Sequence, residues 1–286
     1  MHKPKENAQH YIHIGVEKTK LPTEKMLVLG ILAGIFIALA GAGAVIASAT
    51  IASPSLAKLI SAAVFPVGLA MVVIAGSELF TGNCLIIIPV LEKEVKLRDM
   101  FRNWCFVYIG NFIGSILIAA LTVYSGTFSL FSDAAAANLI KTAVTKVSLT
   151  FSDALLRGIL CNMIVCIAVW MAYAAQDVLN KIAALYLPIM LFVLCGFEHS
   201  IANMFYLPAA LFASGKVEYV VAYTSIAGAP SISGLTWGAF FVKNLIPVTI
   251  GNIIGGVVLV GIAYWFAYLR EPEKNPAAAH HGGKRK

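Results

Sequence analysis

Six apolar runs dominate the chain, near residues 26–50, 60–90, 103–124, 153–175, 183–212 and 237–269. Each is long enough to cross about 30 Å of hydrocarbon. Hydrophobic residues make up 59% of the sequence and charged residues 12%, against about half and about a quarter in a soluble domain. The expectation is an all-α membrane protein with six transmembrane helices, a single domain over residues 26–269. A cytoplasmic N-terminal segment (1–25) precedes it, too polar to be a signal peptide, and a disordered cytoplasmic tail (270–286) follows. A longer polar loop is expected from Ser125 to Ser152.

Basic residues set the orientation. Lys3, Lys5, Lys18, Lys20, Lys25, Lys93, Lys96, Arg98, Arg102, Lys181, Arg270 and Lys274 fall on one side; Lys58, Lys141, Lys146 and Lys216 fall on the other. Both termini are therefore expected in the cytoplasm. The net charge of +7 lies in loops and tails rather than in one stripe with interleaved aromatics, which argues against nucleic-acid binding. Cys84, Cys105, Cys161, Cys166 and Cys195 all lie in apolar runs without metal-like spacing to histidine. They read as small packing residues, and neither metal nor cofactor is expected.

The two halves of the chain resemble each other. LGILAG (29–34) echoes RGILCN (157–162), and GSELFTGN (76–83) shares a G-x-E-x4-N spacing with GFEHSIAN (196–203). NWCFVYIGNFIG (103–114) matches NLIPVTIGNIIG (244–255). Each half holds three spans, an odd number, so the second half must run inverted through the membrane. Inverted repeats commonly place a pathway between broken helices near the midplane. Both G-x-E-x4-N segments interrupt a span, where irregular backbone is tolerated only if buried in protein or lining a cavity.

Glu78 and Glu198, at equivalent positions of the two breaks, are expected to accept hydrogen bonds from backbone N–H groups left unpaired there. Asn83 and Asn203, with Asn111, Asn244 and Asn252, are expected to tie spans together. Thr81 and His199 also stand at the breaks. His199 has no twin, its counterpart being Leu79, and imidazole alone has an unperturbed pKa near neutrality. That broken symmetry marks it as the functional side chain.

ELFTGN, NWCFVYIGN, RGILCN, GFEHSIANMF and KNLIPVTIGNIIGG together resemble the formate/nitrite transporter family, over roughly residues 20 to 268. The resemblance implies an aquaporin-like fold and a homopentamer with one pore per protomer. It also implies passage of small monovalent anions of weak acids: formate first, with hydrosulfide or nitrite as alternatives, and a proton. On matching positions, Phe65, Leu69 and Leu79 resemble the inner constriction, and Phe80, Val165 and Phe192 the outer one. Thr81 and His199 fall between them with Asn162 nearby, and Lys146 resembles a vestibule lysine. Residues 1–25 resemble a surface helix that can cover the cytoplasmic mouth in relatives. The chain departs from some members at Gly82-Asn83-Cys84, where others carry serine or larger residues.

No enzymatic activity is expected. A membrane haem subunit would need two intramembrane histidines, whereas only His199 lies within a span. A sodium-coupled transporter of a larger solute would need a polar cavity, yet Phe, Leu and Val surround the breaks.

Overall fold

The computed structural model describes residues 1–270, and among these every regular element is a helix. The tail expected at 270–286 lies, beyond Arg270, outside the described residues. In chain order the helices are α1 (Pro4–Lys20), α2 (Thr23–Ser48), α3 (Pro54–Ala75), α4 (Phe80–Leu91), α5 (Leu97–Tyr124) and α6 (Ala134–Val147). Then come α7 (Phe151–Ala174), α8 (Val178–Leu194), α9 (Ser200–Ala213), α10 (Val217–Thr224) and α11 (Trp237–Tyr268). Five of them, α2, α3, α5, α7 and α11, are long and apolar enough to cross a membrane, while α4, α8 and α9 are shorter apolar helices. The protein is an integral, multi-pass membrane protein.

The breaks foreseen in the second and fifth apolar runs separate α3 from α4 and α8 from α9. Each begins at a glycine in the left-handed region, Gly76 at φ 76° and Gly196 at φ 70°, which a side chain with a Cβ adopts only with strain. Each ends in an extended residue before the next helix starts: Leu79 at φ −111°, ψ 121° and His199 at φ −110°, ψ 117°. The equivalent stretches of the two halves thus trace the same backbone path.

A close helix pair holds each half together. A Cβ on Gly110 would lie 2.6 Å from the Leu27 carbonyl oxygen of α2, and one on Gly158 of α7 would lie 2.8 Å from that of Val248 of α11. Small residues let backbones approach where lipid offers no hydrophobic drive between helices.

Two segments read as polar turn out to be built into the bundle. The stretch from Ser125 to Ser152 contains α6, which buries Ala136, Leu139, Ile140, Ala143 and Val147. Those positions follow the i, i+3, i+4 spacing of an amphipathic helix, obscured by the intervening Lys and Thr. The N-terminal segment forms α1, which buries Asn7, Tyr11 and Gly15. Asn7 Nδ2 donates to the Trp170 carbonyl at 2.9 Å. Arg102 clasps the α1–α2 turn, donating to the Leu21 carbonyl at 3.1 Å and to Thr23 Oγ1 at 2.9 Å.

Candidate functional site

The two breaks are built alike. Asn111 of α5 accepts on Oδ1 from the Phe80 N–H (3.0 Å) and donates from Nδ2 to the carbonyls of Gly30 (2.8 Å) and Glu78 (2.9 Å). Asn252 of α11 accepts from the Ser200 N–H (2.9 Å) and donates to the carbonyls of Gly158 (2.8 Å) and Glu198 (3.0 Å). One primary amide per break thus satisfies backbone groups that hydrocarbon would leave bare.

The glutamates therefore play a different part from the one expected of them. Their carboxylates do not cap backbone N–H groups; each takes a lysine and asparagine side chains. Lys18 Nζ donates to Glu78 Oε1 at 2.6 Å and Asn83 Nδ2 to Oε2 at 2.6 Å, while Asn83 also donates to Asn103 Oδ1 at 2.9 Å. In the other half Lys146 Nζ donates to Glu198 Oε1 at 2.8 Å, Asn203 Nδ2 to Oε2 at 2.7 Å, and Asn203 to Asn244 Oδ1 at 2.7 Å. A carboxylate out of water is stabilised more by a charge-assisted donor than by neutral amides, and here the lysine supplies it. Burial alone would push the Lys18 ammonium toward neutrality. The Glu78 carboxylate outweighs that and holds its pKa above the ordinary lysine value.

Lys18 is the site residue missed in the sequence. It stands as far before Lys146 as Leu29 stands before Arg157, so the repeat reaches back into α1, whose counterpart is α6. The signal was a single lysine in a polar segment, invisible without the geometry.

Two cavities approach the centre from opposite ends. One, of about 380 Å³, is lined by Tyr11, Glu17, Lys18, Leu69, Glu78 and Leu79 among others. The second, of about 330 Å³, includes Lys58, Phe65, Lys146, Phe192, Glu198 and His199. Among the described residues none lines both. Between them Thr81, fully buried, and His199, 3% exposed, meet at 2.9 Å from Oγ1 to Nε2. His199 Nδ1 accepts from the Ala202 N–H at 3.1 Å and so caps α9. With Nδ1 accepting, the neutral ring carries its proton on Nε2, where it donates to Thr81.

The structure regroups the apolar constrictions. Phe65 packs edge-on against Phe192, ring centroids 5.7 Å apart, on the Lys146 side of the centre. Leu69 and Leu79 line the Lys18-side cavity. Phe65 precedes Leu69 by one helical turn, about 6 Å along the axis, which carries its ring to the other cavity. Phe80 lines neither cavity. Its N–H is held by Asn111, and its ring lies on α5 against Tyr108 (4.8 Å) and Trp104 (5.8 Å). Val165 is buried in α7 and also lines neither. Asn162 sits behind Thr81, its Nδ2 donating to the carbonyls of Thr81 (3.2 Å) and Asn252 (2.7 Å). Gly82 lines the Lys18-side cavity, and Cys84 is buried beside it.

A helical membrane bundle of two like-built halves, each with a break beside a buried ion pair, has the form of a transmembrane channel or transporter. Comparison with known proteins makes the class specific. The formate/nitrite transporter family matches residues 5–266, and the chain belongs to that family. It is 38% identical to a probable formate transporter of Methanothermobacter thermautotrophicus, over 94% of this chain and 97% of that one. It is 40% identical to the formate channel FocA of Escherichia coli K12, over 90% and 91% of the two chains. Among solved structures it resembles a pentameric formate channel with formate bound, with a TM-score of 0.76 at 34% identity, covering 87% of this chain and 98% of that one.

Proposed function

We propose that the protein passes formate, with a proton, across the membrane through one pore in each protomer of a homopentamer. In this reading α3 with α4, and α8 with α9, complete six crossings. Both termini, and with them the Lys18-side cavity, face the cytoplasm. The observation that carries the reading is the Thr81–His199 hydrogen bond at the inner end of the Lys146-side cavity, which among the described residues shares no lining residue with the Lys18-side one. The formate channels among its relatives support the choice of anion.

Energetics decide how an anion crosses such a seal. Moving a carboxylate-sized ion into a low-dielectric medium costs of the order of 20 kcal/mol in the idealised limit, and several kcal/mol after relaxation. Protonating an acid of pKa about 4 at pH 7 costs roughly 4 kcal/mol. Neutralisation is the cheaper route, so the substrate crosses the Phe65–Phe192 and Leu69–Leu79 barriers as the neutral acid.

His199 prepares that step as a hydrogen-bond donor. The Nε2–H that now points at Thr81 turns to the anion and favours it at the centre, while the Thr81 hydroxyl, released, donates to the second oxygen. A doubly protonated ring would forfeit the bond from Ala202 N–H that starts α9, a cap worth about 1 kcal/mol. The proton joining formate therefore comes from water in the Lys146-side cavity, whose lining includes His199. Asn162 holds the Thr81 carbonyl and is a positioning residue. Lys146 lines the second mouth with its charge balanced by Glu198.

Nitrite and hydrosulfide are the alternative anions. A planar oxyanion uses both donors, which favours formate or nitrite; the small Gly82 beside the path keeps the single-sulfur anion in the comparison. The test is an uptake series in liposomes for formate, nitrite, hydrosulfide and acetate at several pH values. Formate uptake should quicken as external pH falls below 7. Formate flux no greater than in protein-free liposomes, beside rapid hydrosulfide flux, would replace the substrate and leave the pathway standing.

A further inference from the structure

The two mouths carry opposite charge balances, and the repeat does not explain why. Four cations, Lys58, Lys141, Lys146 and Arg157, line the mouth on the Lys146 side beside one carboxylate, Glu198. On the Lys18 side one cation, Lys18, faces two carboxylates, Glu17 and Glu78. The ion pairs Lys18–Glu78 and Lys146–Glu198 cancel in both mouths. What remains at the second mouth is Lys58, Lys141 and Arg157. Among the described residues their side chains make no ion pair or hydrogen bond. Arg157 has Leu29 as its repeat counterpart, so a cation has been added to one mouth only. Its backbone carbonyl accepts from the Glu198 N–H at 3.3 Å, which anchors the residue at the break while its side chain faces the cavity.

Cations gathered in one cavity without counter-charges repel each other unless an anion joins them. A monovalent substrate satisfies one of the three, and a dianion satisfies them better. From this we infer that the Lys146-side mouth is a binding site for soluble divalent oxyanions of the sulfate type, which occupy it and block the pore. The inference rests on the transport reading above only for the block; the site itself does not depend on it.

The dianion enters but cannot cross. Solvation cost scales with the square of the charge, so a dianion faces about four times the penalty of a monoanion at the Phe65–Phe192 seal. A single proton does not neutralise it, so the route open to a weak monovalent acid is closed. Arg157 supplies a planar fork suited to two oxygens of one oxyanion, and Lys58 and Lys141 supply point charges around it. The block is therefore one-sided, and the substrate competes with it.

The experiment measures formate uptake in phosphatidylcholine vesicles, which offer no anionic headgroup, with sulfate replacing gluconate at constant ionic strength. Protein inserted in both orientations should be inhibited in part by external sulfate and fully by sulfate on both faces. The double variant Lys58→Gln/Arg157→Gln, judged against its own sulfate-free uptake, should need about fivefold more sulfate per charge removed. Glu17→Gln, in the other mouth, should leave the half-inhibitory concentration unmoved. Calorimetric titration of the solubilised pentamer with sulfate reads the site without flux and should show the same weakening. Inhibition no stronger than by gluconate, or sulfate affinity indifferent to the double variant, overturns the proposal. Absent formate uptake with intact, variant-sensitive sulfate binding would instead overturn the transport reading and leave the site in place.

Discussion

His199 performs two tasks with its two ring nitrogens, and phenylalanine removes both while keeping the ring. Nδ1 starts a helix by accepting from Ala202 N–H, while Nε2 meets Thr81. Phenylalanine fills the same space against Phe192, whose ring centroid lies 5.9 Å from that of the imidazole. His199→Phe should therefore fold and assemble but slow formate uptake about tenfold or more, since a hydrogen bond to a charged group is worth about 1.5–3 kcal/mol. Stopped-flow uptake across a pH series checks this, and an unchanged rate and pH profile would reduce the ring to packing. The Glu198 carboxylate lies only 4% exposed and is paired with Lys146 at 2.8 Å. Glu198→Ala leaves Lys146 without its counter-charge and should cost about 3–5 kcal/mol, as breaking one side of a buried pair does. Glu198→Gln combined with Lys146→Met removes both charges and should recover much of that loss in thermal unfolding.

At the level of elements, the breaks are held by geometry that one added methyl group disturbs. Gly196 sits at φ 70° with only Lys58 Nζ, at 3.9 Å, near the position of a Cβ. Gly196→Ala meets no steric obstacle, so its cost is the left-handed backbone alone, about 1–2 kcal/mol, read as a lowered Tm. α1 is held by charge as well as by packing. Lys18 is raised above its ordinary pKa, so its stabilising contribution is complete below the unfolded lysine value, about 10.4, and is lost only as pH rises through the folded value. Limited proteolysis of the N-terminal segment should consequently be unchanged by Lys18 titration from mildly acidic to mildly alkaline pH. Lys18→Met should expose the same segment to cleavage at neutral pH. Cleavage no faster than in the parent would show that packing of Tyr11 and Asn7 suffices to hold α1.

At the scale of the whole molecule, the single chain displays broad apolar faces on helices long enough to cross a bilayer, including Leu117 and Leu121 of α5 and Val258 and Leu259 of α11. Lipid covers such faces as well as protein does, so their exposure does not choose between a monomer and an assembly. The pentameric relative motivates the assembly proposed for this chain. Native mass spectrometry from mild detergent should return five protomers, and a stable monomer or dimer would count against the assembly while leaving each pore intact.

Much of the architecture was legible because hydrocarbon enforces it. Long apolar runs must be helices, an odd number of spans per repeat must invert, and a glycine beside a glutamate inside a run must mark a break. The pairing of Asn83 with Asn203 and of Asn111 with Asn252 followed from spacing alone, as did the isolation of His199 by its counterpart Leu79. Tertiary structure decided the rest, because it turns on direction and distance across elements. Helical rotation and rise put Phe65 with Phe192 rather than with Leu69, turned Phe80 onto α5, and placed Asn162 behind Thr81 instead of beside a cavity. Sequence distance likewise hid Lys18 from Glu78, and no periodicity within α1 points to a carboxylate two helices further along the chain. A membrane dictates which segments fold into helices; the polar side chains that must find each other inside it dictate how those helices meet.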